Sequence, residues 1–145
     1  MSTVQKSALV PYSAHEMYVL VADIDSYGEF LPWCGHARVV SRHDDNVTAA
    51  VTIAYGGVHK TFTTANRMQT DKTIEMRLVE GPFKHLFGYW RFQALDTSAC
   101  KVSLDMEYEF SNALLGMVMG PVFSRIANDL VDGFHRRAEC LYGRR

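Results

Sequence analysis

Residues 101–143, KVSLDMEYEFSNALLGMVMGPVFSRIANDLVDGFHRRAECLYG, change their hydrophobic period part-way along. In the first ten, Val102, Leu104, Met106, Tyr108 and Phe110 alternate with Lys101, Ser103, Asp105, Glu107 and Glu109. A period of two belongs to a strand with one dry and one wet face. Ser111 and Asn112 then supply capping side chains. From residue 113 to 142, Leu115, Met119, Phe123, Ile126, Leu130, Phe134, Ala138 and Leu141 recur at steps of three and four. That spacing predicts a long amphipathic helix, with Gly143 as its stop. Gly120-Pro121 lies inside it. Proline lacks an N–H and its ring crowds the preceding turn, so a kink or a restart is expected there.

Working back towards the N-terminus, the period of two persists to about residue 36. VTAAVTIAY (47–55) puts Ala49, Val51, Ile53 and Tyr55 on one face, TIEMRLV (73–79) does the same with Ile74, Met76 and Leu78, and GYWRFQA (88–94) with Trp90, Phe92 and Ala94. Gly56-Gly57 and QTDK (69–72) are turn sequences between such runs. Six consecutive strands joined by short turns form an antiparallel meander that is apolar on one side. Before them, residues 3 to 10 read as another strand, stopped by Pro11. Ser13 and Glu16 have capping-box spacing, with Tyr12 placed to staple against Met17, and this helix ends near Asp23. DIDSYGEFLPWCG (23–35) reads as a second short helix, with Ser26 and Glu29 repeating the capping spacing and Pro32 limiting its length.

A one-sided sheet and a one-sided helix bury their apolar faces against each other. The expected fold is therefore α+β. A curved antiparallel sheet of about seven strands wraps around a long C-terminal helix, with two short helices after the first strand, in a single domain over residues 1–145. Periodicity alone does not distinguish a filled core from a cavity between the two layers.

Composition excludes several function classes. Fifteen Lys and Arg against sixteen Asp and Glu give a net charge of −1. Such a chain exerts no long-range pull on nucleic acid or anionic lipid, so those partners require a local basic patch. No stretch resembles a membrane span or a secretory leader, and a cytoplasmic location is expected. Cys34, Cys100 and Cys140 are odd in number and widely spaced, which fits neither a disulfide framework nor a zinc site. They are expected to be reduced and partly buried. His15, His36, His43, His59, His85 and His135 show no H-x-H or H-E-x-x-H motif, and no pairing with a carboxylate at i, i+4 is expected, so no metal site is assigned. No G-x-S-x-G and no phosphate-binding glycine loop is present. Asp105, Glu107 and Glu109 share the wet face, where residues such as Arg91 are expected to pair with them. An acid/base dyad needs inward carboxylates, and the inward parity offers none.

Four stretches carry a family resemblance: ALVPYSAHEMYVLVADIDSYGEFLPWC (8–34), VHKTFTTANRM (58–68), LVEGPFKHLFGYWRF (78–92) and FHRRAECLYG (134–143). Together, from about residue 3 to 143, they resemble the polyketide cyclase/START-like (SRPBCC) family. Within it they are similar to the branch of the ribosome association toxins (RatA) and the coenzyme-Q-binding proteins. The resemblance implies a helix-grip fold and a hydrophobic tunnel between sheet and C-terminal helix. In the coenzyme Q branch that tunnel holds ubiquinone or a related isoprenoid lipid in support of respiration, with no catalytic residue and no required cofactor. The toxin branch implies binding to the large ribosomal subunit and a block on subunit association. The wider family implies, as a third reading, a polyketide cyclase or dehydratase.

On the tunnel reading the ligand-binding wall comprises Trp33, Val51, Ile53, Phe62, Met76, Leu78, Phe83, Phe87, Trp90, Phe92, Leu104, Met106, Tyr108, Met119, Phe123, Ile126 and Leu130. Tyr108, Asn66 and Thr64 are the polar groups expected to reach inside. EGPFKHLFGYWRF (80–92) has two readings. Gly81, Pro82 and Gly88 suit a plain hairpin packed on its neighbours, whereas Phe83, Leu86 and Phe87 at its tip, with Trp33 and Phe30 opposite and Lys84 and His85 at the rim, suit an aromatic gate. On the ribosome reading, Lys60, Arg67, Lys84, Arg136 and Arg137 are the candidate RNA contacts. Arg125, Arg144 and Arg145 add positive charge along the last helix, where it also complements the helix dipole. Transient contact with a membrane is a further expectation; DNA is not an expected partner.

Overall fold

The computed structural model describes residues Met1–Arg145. Strand β1 (Ser2–Val10) leads into helix α1 (Ala14–Ala22) and a 3-10 turn (Ile24–Glu29). Six strands follow: β2 (Cys34–His43), β3 (Asn46–Tyr55), β4 (Val58–Gln69), β5 (Thr73–Glu80), β6 (Phe83–Asp96) and β7 (Ala99–Phe110). Helix α2 (Ala113–Tyr142) completes the chain. The strands form one sheet in the order β1-β7-β6-β5-β4-β3-β2, antiparallel at each pairing. The meander of β2 to β7 is thus extended by β1, which returns to pair with β7 from Ser2 opposite Tyr108 to Val10 opposite Cys100. Register shifts interrupt β2, the end of β5 and both ends of β6. Such bulges bend strands and raise their twist, which curves a sheet around a helix.

The alternation in β7 is realised from Val102 to Tyr108, and Phe110 at the strand's end is half-buried. Val102, Leu104, Met106 and Tyr108 are buried, and Arg91 meets Asp105 on the outer face at 3.1 Å. α2 turns Met119, Phe123, Ile126, Ala127, Val131, Phe134 and Ala138 to the sheet. The stripe differs from expectation at its end: Leu141 is exposed, and Val131 is buried instead. The helix is continuous through Pro121 and does not restart. Pro121 is exposed, as its missing hydrogen bond prefers, and Gly120 supplies no side chain to crowd it.

Ser13 forms the capping box with Glu16, each side chain accepting from the other's backbone N–H. Tyr12 is wholly buried, its hydroxyl donates to the Gly143 carbonyl at 2.7 Å, and its ring meets Tyr142. The start of α1 is thereby tied to the end of α2. The second short helix is a 3-10 turn, and Ser26 does not cap it. Asp23 is its N-cap and makes no side-chain cap bond. Tyr27 holds this turn from within: its hydroxyl donates to the Val21 carbonyl, and burial pushes its pKa upward.

A candidate ligand cavity

β3, β4, β6 and α2 meet around an apolar slit. About 720 Å³ along it is free of atoms, its open side included, but only about 70 Å³ admits the centre of a water molecule. One water needs roughly 10–15 Å³ on that measure. The structure therefore has a slit, narrower than the open tunnel expected, and an occupant with a ring and tail has to displace side chains. Met76 and Met106, both in the lining, are unbranched and can swing aside.

The slit is lined by Trp33, Val51, Ile53, Phe62, Met76, Trp90, Met106, Phe123, Ile126 and Leu130, all expected from the sequence. Seven expected wall residues lie elsewhere. Leu104 and Met119 are sealed in the core, with no surface on the slit. Phe92 stacks between Trp90 and Tyr18. Leu78 packs at the end of β5, against Gly81. Phe83 and Tyr108 belong to an aromatic cluster with Phe110 and Phe123, the Phe83 and Phe123 centroids being 5.0 Å apart and those of Tyr108 and Phe123 4.7 Å. Phe87 is on the opposite face of β6 from Trp90, beneath the Arg77 guanidinium at 5.0 Å.

This placement removes the aromatic gate. β5 and β6 are joined by Gly81 and Pro82 alone, so Phe83 to Trp90 are strand residues, not a loop tip. Phe83 and Leu86 face the core, Phe87 faces outward, and His85 pairs with Glu107 at 3.0 Å. Ile24, Tyr27, Ala49, Leu86, Ala127 and Phe134 complete the apolar lining and were not expected there. Ala49, Ala127 and Phe134 were legible as inward by parity or helical spacing. Ile24 and Tyr27 carried no such signal, because the 3-10 turn has neither period.

Two polar side chains enter the slit. Thr64 and Asn66, each about 5 % exposed, stand on the inward face of β4, and the Thr64 hydroxyl donates to Asn66 Oδ1 at 2.8 Å. No carboxylate and no histidine lines the cavity. Cys34 and Cys100 are buried, and burial raises their thiol pKa values, that of Cys100 to about 11. They are poor nucleophiles at neutral pH. Cys140 is exposed. His135 does stand at i, i+4 from a carboxylate, with Glu139 at 3.7 Å, contrary to expectation. No third ligating group joins them.

Two of the basic candidates are already paired within the chain. Arg136 pairs with Asp129 at 3.1 Å, and Arg137 with Glu29 at 3.5 Å. Lys60 and Arg67 lie seven residues apart on β4, roughly 24 Å at the rise of an antiparallel strand. Lys84 is at the start of β6. By length and composition α2 could span a membrane, yet it is the helix the sheet holds through its buried stripe. Its first turns expose Leu114, Met117 and Val118.

A sequence profile described as "Polyketide cyclase / dehydrase and lipid transport" matches residues 10–135. The chain belongs to this family. Among relatives in the family, the Ribosome association toxin RatA of Pseudomonas aeruginosa is 42% identical over 144 residues, 99% of this chain and 100% of that protein. RatA of Escherichia coli K12 is 41% identical over 145 residues, 100% of this chain and 92% of its own length. Coenzyme Q-binding protein COQ10 homolog B of Xenopus laevis is 24% identical over 143 residues, 96% of this chain and 59% of that protein. Among solved structures, an 18 kDa protein of Caulobacter crescentus superposes with a TM-score of 0.77 at 30% identity, covering 99% of each chain. The Zhui aromatase/cyclase of Streptomyces sp. R1128 gives 0.84 at 18% identity over 95% of this chain and 93% of its own, a likeness of fold.

Proposed function

We propose that this family member is a non-enzymatic binding protein that takes an apolar ligand, ubiquinone or a related isoprenoid lipid, into the slit between sheet and α2. The observation that carries this reading is the lining: sixteen of its eighteen residues are hydrophobic, and the two polar ones are hydrogen-bonded together. An isoprenoid tail gains about 0.8 kcal/mol for each CH₂ it buries, so partial cover supplies useful affinity with few polar contacts. The lining has no carboxylate, histidine, lysine or thiol to drive cyclisation or dehydration, and its Tyr27 and Thr64 hydroxyls are each bonded within the protein, which favours carriage over chemistry. Exposed Leu114, Met117 and Val118 offer a place for transient contact with the membrane from which such a ligand comes. Solvent extraction of the purified protein followed by mass spectrometry is the test. A stoichiometric prenylated or acylated lipid is expected; protein that carries none, and takes none up from ubiquinone-containing vesicles, refutes the reading.

A second reading is favoured by the 41–42% identity, over essentially the whole chain, to proteins named ribosome association toxins. On it the protein binds the large ribosomal subunit in the cytoplasm and hinders subunit association. Lys60, Arg67 and Lys84, which form no ion pair within the chain, are then the groups free to meet phosphate. Sucrose-gradient profiles after overexpression test it: a loss of joined ribosomes is expected, and unchanged profiles exclude it. The two readings use different parts of the molecule, an interior slit and an outer surface, so one chain can serve both.

A further inference from the structure

With Thr64, Asn66 is one of two polar residues in an otherwise hydrophobic slit, and only its oxygen has a hydrogen-bond partner. Its Oδ1 accepts from Thr64 Oγ1 at 2.8 Å, and its Nδ2 makes no hydrogen bond within the protein. The hydroxyl fixes which way the amide faces. Thr64 Oγ1 makes no other side-chain hydrogen bond, so turning the amide over would leave the hydroxyl hydrogen without an acceptor. No fully enclosed side-chain nitrogen or oxygen lacks a partner. The unbonded Nδ2 therefore keeps open surface, and for a residue about 5 % exposed that lines the slit, this surface lies on the cavity.

A buried N–H without a partner is costly, and the rest of the lining does little to relieve it. Of the other lining residues, the Trp33 and Trp90 indoles bring donors only, the Tyr27 hydroxyl is engaged with the Val21 carbonyl, and the rest are hydrocarbon, phenyl or thioether side chains, a thioether sulfur being a weak acceptor. Resting on the ligand-carrying role of the slit, we infer that its occupant carries an acceptor oxygen, a ketone, quinone or ester carbonyl, seated on the Asn66 amide. A carbonyl suits the site because it accepts an N–H of the amide and brings no proton of its own to be satisfied. A plain hydrocarbon of the same shape leaves the amide unmet. Asn66 is then the residue that orients the polar end of the ligand, while the surrounding apolar wall holds the remainder.

Duroquinone and durene test this, since they share a ring and methyl groups and differ in the carbonyl oxygens. Duroquinone is expected to bind the wild-type protein about fivefold to tenfold more tightly than durene and to shift the Asn66 side-chain NH₂ signals in the amide NMR spectrum. In Asn66→Leu that preference disappears. In Thr64→Val/Asn66→Leu, which leaves no stranded hydroxyl, it disappears as well, separating the effect from misfolding of the single variant. Equal binding of the two compounds by wild type, or an Asn66 amide that contacts an internal water only in both complexes, overturns the inference and leaves the ligand-carrying role standing. If neither compound perturbs any residue of the slit, the role itself fails.

Discussion

Filling the slit from the helix side separates a ligand site from a packing flaw. Ala127 is on the inner face of α2, about 1 % exposed, and its methyl lines the cavity. Ala127→Leu adds three carbons at that point. A residual cavity costs about 24 cal/mol per Å³, so the roughly 70 Å³ of free space here corresponds to about 1.7 kcal/mol of lost packing. A side chain that occupies the void recovers up to that amount, whereas one forced into a full core costs about 1–3 kcal/mol. The expected result for delipidated protein is a Tm about 5 °C higher than wild type, given the usual few degrees per kcal/mol for a domain of this size. Lipid recovered by extraction should fall to background in the same variant. A lower Tm together with undiminished lipid content would refute the reasoning, because it would mean that the slit is closed in solution and the ligand sits elsewhere.

Three more perturbations address other parts of the structure. Gly81 has φ +153°, and a Cβ there would come within 2.6 Å of the Phe62 Cβ and 3.2 Å of its Cα, so Gly81→Ala is expected to lose at least about 1–3 kcal/mol in denaturant titration; a neutral result refutes the tight β5–β6 turn. Hydrogen bonds from Arg145 at 2.7 and 2.9 Å hold the Glu16 carboxyl below its ordinary range. Because that pKa is depressed in the folded state, the stabilisation is present above the ordinary carboxylate pKa and lost as pH falls through the folded value. The Tm gap between wild type and Arg145→Ala should therefore close on going from neutral to about pH 3, and shrink in high salt; a gap independent of pH contradicts the pairing. For the ribosome reading, Lys60→Glu/Arg67→Glu/Lys84→Glu should weaken large-subunit binding in sedimentation assays and lower its salt slope by about one per lost phosphate contact. Arg136→Gln/Arg137→Gln, which removes residues already paired with Asp129 and Glu29, should change it less, and the reverse order would relocate the contact surface to α2.

How much of this was legible in the sequence depends on which force sets each feature. Burial against water sets the alternation of Val102 to Tyr108 and the helical stripe from Met119 to Ala138, and it leaves a periodic record, so sheet and gripping helix were readable. Local hydrogen bonding set the Ser13 and Glu16 box, which is also written in residues three apart. The same spacing at Ser26 and Glu29 misled, because a six-residue 3-10 turn is held by the Tyr27 hydroxyl on Val21 and by packing of Tyr27 on Phe134, and neither bond is local in the capping sense. The turn after β5 misled for a related reason. Gly81 and Pro82 suffice to reverse the chain, so the aromatic residues that follow are strand, and the bulge between Phe83 and His85 shifts the alternation.

The division between wall and core was the least readable feature, and the reason is geometric. Ile53, Leu104, Met119 and Phe123 share one signature in the sequence, inward and apolar, yet Leu104 and Met119 are sealed while Ile53 and Phe123 border the slit. What parts them is distance from the line along which the bent sheet and α2 separate, a quantity set by bulges and by side-chain volumes summed over both layers. Ala49 on β3 and Ala127 on α2 both line the gap. Small residues on both facing layers leave room that larger ones would take, so an inward alanine carries more information about a cavity than an inward phenylalanine. The polar pair follows the same logic in reverse. Thr64 and Asn66 occupy inward positions that a filled apolar core would give to hydrocarbon, and the hydrogen bond between them offsets part of the cost of burying them. The alanines mark where the space is, and Asn66 marks which end of it is polar.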